Sequence, residues 1–239
     1  MGTQPQFLGF VSDRLEARQG GVFVGLYGSL LWKARRDRDY LAVLDRPSVV
    51  YADGASIAWL ARLCGVDQRA ERMATTDIWP ELVDAAARYG YRIALIGGDQ
   101  GTVEEAAERV RQLGAEVSLV ENGYWPTERE GSIVHRVRDL PHSLVLIGMG
   151  AKRQEALAHL CRQQPGGERH LYFTVGGLFD HIVESRRRAP MFWQRHGLEW
   201  LWRTLMEPRR LWWRYVAGNS YFLVVTARSL IRHRGGARV

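Results

Sequence analysis

Apolar positions along the chain gather into short unbroken runs, each ending in glycine or aspartate and followed by a stretch with helical spacing. In RIALIGGDQGTVEEAAERVRQLG the run Ile93–Ile96 meets Gly97 and Gly98. A helix is then predicted from about Thr102, where Thr102 and Glu105 have the spacing of a capping box and Val103, Ala106, Ala107 and Val110 recur on one face. SLVLIGMGAKRQEALAHLC repeats the plan, with Leu144–Ile147 as a strand, Gly148-Met149-Gly150 as the turn, and a helix carrying Leu157 and Leu160 on one side. LYFTVGGLFDHIV supplies a third strand, ending at Gly176-Gly177. In SVVYADGASIAWLARLCG a fourth, Val49–Ala52, passes through Asp53-Gly54 into a helix with Ile57, Leu60 and Ala61 on one face. Strands this apolar must be covered on both faces, so the predicted fold is α/β, a Rossmann-like parallel sheet with flanking helices. No tandem repeat of fixed period is present.

Composition changes this picture at one end only. The chain has 239 residues, 46% hydrophobic and 25% charged, which suits one folded body with an appendage. Its formal charge of +7 is uneven: from Arg186 onward arginines outnumber acids to give +10, leaving residues 1–185 at −3. Residues 1–185 are therefore the body and 186–239 a basic, tryptophan-rich appendage. Within GLEWLWRTLMEPRRLWWRY, Leu198, Leu201, Trp202 and Leu205 are spaced for an amphipathic helix that Pro208 ends. Trp212, Trp213 and Tyr215 then stand beside Arg209, Arg210 and Arg214, a mixture suited to the headgroup layer of an anionic membrane. The alternative is that these rings only pack the appendage onto the body. Cys64 and Cys161 make no disulfide framework and fit a reducing compartment. Residues 1–20 lack the pattern of a secretory leader, and apolar runs such as Tyr221–Ala227 are too short to span a bilayer.

Glycines at the carboxyl ends of parallel strands let a ligand approach the backbone, and a following helix start favours phosphate. Gly97, Gly98, Gly148 and Gly150 are candidates on that ground, but Arg153 stands where a dinucleotide fingerprint would place its third glycine. Nucleotide binding and plain strand-to-helix turns both remain open at this point. Asp53 is likewise either a ligand-facing carboxylate at a strand end or a helix cap. The same choice applies to Asp77, Asp99 and Asp180.

YADGASIAWLARLCG, ERMATTD, GMGAKRQE, VGGLFDHIVESRRRAP and GLEWLWRTLMEPRRLWWRY, in this order and spacing, resemble the WecG/TagA/CpsF family of bacterial glycosyltransferases over about residues 20–222. The resemblance implies inverting transfer of a sugar, a hexose or N-acetylhexosamine, from a UDP-sugar to a polyprenyl-diphosphate-linked acceptor. It implies no cofactor and no required metal, and a protein peripheral on the cytoplasmic face of the cell membrane. Carried over by motif, Asp53 is the general base, while Arg72, Gln154 and Glu155 belong to the substrate site. Arg72 would hold diphosphate oxygens and Gln154 a sugar or uracil edge. Arg203, Arg210 and Arg214 would come from the appendage to neutralise diphosphate charge. The sequence departs from the family pattern in lacking its Thr-x-Asn near Gly25 to Tyr27, and in carrying Thr75, Lys152 and Glu184 where glycine, proline and glycine are usual. The donor sugar is therefore not fixed by the resemblance. Two other readings are a nucleic-acid-binding protein acting through the arginine-tryptophan tail, which salt-dependent binding without lipid binding would mark, and a nicotinamide-dependent oxidoreductase, which the incomplete fingerprint weakens. The expected partners exclude nucleic acid, and homo-oligomerisation is left open.

Overall fold

The computed structural model describes residues 2–46, 49–183 and, in the C-terminal segment, Trp193, Leu201, Trp202 and Leu205. The chain opens with α1 (Gln4–Glu16), β1 (Gly21–Leu26), α2 (Gly28–Arg35), α3 (Arg38–Leu44), β2 (Val49–Ala52) and α4 (Ala55–Leu63). It continues through α5 (Thr75–Arg88), β3 (Arg92–Gly97), α6 (Gln100–Gln112), β4 (Val117–Glu121), α7 (Glu130–Arg138) and β5 (Ser143–Gly148). α8 (Arg153–Gln163), β6 (Leu171–Thr174) and α9 (Leu178–Val183) complete the body. The six strands form one sheet in the order β2-β1-β6-β5-β3-β4, every neighbouring pair parallel. The α/β, Rossmann-like expectation is met.

Alternation along the strands builds two apolar layers. Phe23, Ile93, Leu95, Leu144, Leu146 and Phe173 point to one face, where α1, α5, α6 and α9 supply Phe7, Ile78, Val103 and Phe179. Val24, Ala94, Ile96, Val145, Ile147 and Tyr172 point to the other, covered by Ile133 of α7 and Leu157 of α8. Side chains buried on both faces are what a central parallel sheet demands. Helices α2 and α3 pack together through Leu30, Ala34 and Tyr40, against Ala151 just before α8.

Four of the six strands match the apolar runs read from the sequence. β1 and β4 carry no such run: GVFVGL is interrupted by glycine, and VSLVE is an edge strand with polar positions. The helix after β3 also starts earlier than expected. Asp99 is its cap, accepting from the Thr102 amide and the Thr102 hydroxyl, both at 2.9 Å, so that hydroxyl already has an acceptor and the predicted Thr102 cap is not formed.

Because the strands are parallel, all their carboxyl ends lie along one edge. β1 runs on into α2, and β2 into α4, whose Ile57 and Ala58 pack with Leu26 and Leu31. β3 and β5 part to opposite faces, into α6 and α8. Such divergences open the crevices in which α/β sheets meet ligands.

Candidate active site at the strand ends

Asp53 directly follows β2, and it does not cap the next helix. Gly54 holds the cap position of α4, and no side chain bonds that helix start. The Asp53 carboxylate turns instead to α5, where Oδ1 accepts from the Thr75 amide and the Thr75 hydroxyl, both at 2.7 Å. The link is made by the chain before α5, since the Met73 amide donates to the Ala52 carbonyl at 2.7 Å and so lays residues 72–75 across the end of β2. The Thr75 hydroxyl also meets the Tyr51 hydroxyl at 2.7 Å. Gly25 of β1, paired in register with Tyr51, makes room for this group, because a Cβ there would lie 3.0 Å from both Asp53 Cβ and the Tyr51 oxygen.

Two effects compete at the carboxylate. Burial raises its proton affinity, while the two Thr75 bonds and the Arg72 charge lower it, and burial wins, so the Asp53 pKa is raised. A carboxyl group held above its usual range is suited to taking a proton in one step and releasing it to water in the next. Arg72 is paired with Asp77 at 3.2 Å, both side chains still partly exposed. The guanidinium thus stands by the carboxylate with a fixed counter-charge.

The glycines divide into two kinds. Gly97 and Gly148 are the paired last residues of β3 and β5, and a Cβ on Gly97 would lie 2.1 Å from the Gly148 carbonyl oxygen. Packing requires glycine at both, and Gly97 also sits at φ +139°. Gly98 (φ +64°) and Gly150 (φ +83°) form the turns beyond them, with open space around Gly150. Arg153 braces the neighbouring loop. Its guanidinium donates to the carbonyls of Gly123 and Trp125 at 2.8 and 3.2 Å and lies over the Trp125 ring.

Gln154 and Glu155 are interior, 1% and 0% exposed. Glu155 accepts from the Lys152 amide at 2.6 Å, Gln154 Nε2 at 2.7 Å and the Tyr40 hydroxyl at 3.1 Å. Burial raises its pKa against those bonds. Gln154 Oε1 in turn accepts from the Gly176 amide at 3.1 Å. Both ends of the Gln154 amide therefore have protein partners, tying the Gly176 turn after β6 to the start of α8. Lys152, at φ +80°, is strained for a residue with a side chain, and its ammonium is anchored on Asp37 at 2.6 Å.

Sequence reading missed Tyr51 and Thr75, whose role depends on a contact between elements, and Tyr124. The last is 79% exposed beyond β4, next to Gly123, whose amide donates to the Gly98 carbonyl at 2.8 Å. An exposed aromatic ring at a sheet's carboxyl edge is the one local signal that marks it. Arg203, Arg210 and Arg214 lie outside the described residues. Of the predicted amphipathic helix, Leu201, Trp202 and Leu205 are helical, and the Trp202 ring is 5.8 Å from that of Trp193. Among the described residues no helix is long and apolar enough to cross a membrane.

A recessed carboxylate, a neighbouring guanidinium and glycine turns along one sheet edge fit proton removal from a hydroxyl beside an anionic group. The chain matches the family described as Glycosyl transferase WecG/TagA/CpsF over residues 1–236. It belongs to that family and is a glycosyltransferase of cell-surface polysaccharide biosynthesis, acting on a sugar donor and an acceptor.

Proposed function

We propose that the enzyme transfers a hexosyl or N-acetylhexosaminyl group from a UDP-sugar to a polyprenyl-diphosphate-linked sugar, with inversion and without a required metal. The observation that carries this reading is Asp53, fixed through one oxygen beside Arg72 at the edge where the strands end. Asp53 takes the proton of the acceptor hydroxyl as that oxygen bonds to the anomeric carbon. The bond from that carbon to the diphosphate breaks on the opposite side, so a single displacement inverts the centre, and UDP leaves with the electron pair. Arg72, beside Asp53, faces the diphosphate charge, while the turns at Gly98 and Gly150 and the exposed Tyr124 ring, on which a base can stack, lie farther along the same edge. Gln154 and Glu155 set the turns at Gly150 and Gly176. UDP should raise the thermal midpoint with divalent ions chelated, and calorimetry checks this. Binding only of nicotinamide dinucleotides, or only in the presence of magnesium, sinks the reading.

The +10 charge from Arg186 onward supports a peripheral position at the cytoplasmic face of the membrane, with residues 186–239 as anchor. Arg203, Arg210 and Arg214 would complete the site. Deleting residues 191–239 is expected to leave a folded body, release it from anionic vesicles in flotation and abolish transfer to a lipid-linked acceptor. A truncated protein that still floats and still transfers sugar shows the tail to be neither anchor nor part of the site.

A further inference from the structure

Asp53 is held by one oxygen. The amide and the hydroxyl of Thr75 both donate to Oδ1, and two donors fill the lone pairs of a carboxylate oxygen. Oδ2 accepts no hydrogen bond among the described residues. The Thr75 hydroxyl has a single proton, which it gives to Asp53, so in its 2.7 Å contact with Tyr51 the phenol is the donor. Donation therefore runs one way, from Tyr51 through Thr75 to Oδ1. Tyr51 is buried, and burial together with the nearby Asp53 charge raises its proton affinity, so the phenol stays protonated in either state of the carboxyl group.

We infer that Thr75, oriented by Tyr51, is a positioning residue that makes Oδ2 the proton-accepting oxygen of Asp53. This rests on the reading of Asp53 as the base. An unrestrained carboxylate turns about its Cβ–Cγ bond and presents either oxygen, whereas here the amide N–H is fixed by the first turn of α5 and aims at Oδ1. A proton arriving on Oδ1 would face the amide proton, so the acceptor's proton goes to Oδ2. The other charged and titratable groups around the carboxylate are Arg72 and Asp77 from the loop and first turn of α5 and Tyr51 of β2. Tyr27, at the start of α2, lies against Gly54. Removing the Thr75 hydroxyl alone takes the acceptor from the Tyr51 phenol and leaves Arg72 and Asp77 in place.

The test is titration of the side-chain carboxyl carbons in protein labelled with 13C-aspartate, the Asp53 signal being assigned by its loss in Asp53→Asn. Thr75→Val, close in shape, is expected to raise the Asp53 midpoint by about one pH unit, because the carboxylate loses one of its two donors. Thr75→Ser is expected to restore it, and Tyr51→Phe to raise it by a smaller amount. The acid limb of kcat/KM against pH should move with the carboxyl signal. If Thr75 served only the start of α5, Thr75→Val would lower the thermal midpoint and leave the Asp53 titration unmoved, and that result in a folded variant overturns the inference. Should Thr75→Val not fold, Tyr51→Phe decides, and an unmoved midpoint there overturns it equally. The titration needs no substrate, so a shifted carboxyl signal with an unshifted rate limb retains the positioning role and removes Asp53 as the base.

Discussion

Asp53→Asn is expected to fold, to bind the donor and to lose about 10²–10⁴-fold in transfer rate, the span attached to a general base. The amide keeps an oxygen for the two Thr75 donors, so the geometry at the end of β2 survives while the proton acceptor is gone. Stability supplies an independent check with a definite sign. Burial holds the Asp53 pKa above its unfolded value of 3.8, so ionisation in the folded state costs free energy that the unfolded chain does not pay. Wild type therefore loses stability as pH rises from about the unfolded value through the raised folded one, and the asparagine variant does not. The two proteins should unfold alike in acid, with the variant pulling ahead toward neutral pH. Near-wild-type turnover on the true acceptor would reduce Asp53 to a brace for α5.

Gly97→Ala is expected to cost about 3–5 kcal/mol, a large share of the stability of an ordinary domain. Two penalties add at this residue. Its φ of +139° is one that side-chain-bearing residues rarely adopt, and the new methyl would lie 2.1 Å from the Gly148 carbonyl oxygen, a backbone atom held in the sheet. For a chain of this size the loss corresponds to roughly 10 °C in thermal midpoint. Gly9→Ala is the control: it lies inside α1 with nothing within 4 Å of the added Cβ, and it should stabilise by about 0.5–1 kcal/mol. Urea unfolding of both variants measures the contrast. A cost for Gly97→Ala below about 1 kcal/mol would remove packing as the reason for that glycine.

How much of this could be read from the chain depended on whether the information was local. β3, β5 and β6 are buried on both faces, so their sequences are continuous apolar runs that cannot be mistaken for surface. β1 was hidden by Gly25, which interrupts the run because Tyr51 and Asp53 need the space above it. β4 lies at the sheet's edge, where Ser118 is tolerated and Glu121 is matched by Arg129 and Arg136. Asp53 was visible from its place after an apolar run, yet its partner was not, since Thr75 reaches it only once Met73 has bonded to Ala52. The interior placement of Gln154 and Glu155 was equally illegible. It depends on Tyr40, which α3 brings to the start of α8.

β2, whose end carries Asp53, is one of the two edge strands of the sheet. The carboxylate proposed as the base therefore lies at one edge of the sheet, with β1 on one side of its strand and, among the described residues, no strand on the other. On the proposed reading, a lipid-linked acceptor would approach Asp53 from this edge of the sheet and not across its other strands. Such an approach would make turnover indifferent to the number of units in the trailing chain and leave selection among acceptors to the few atoms next to the attacking hydroxyl.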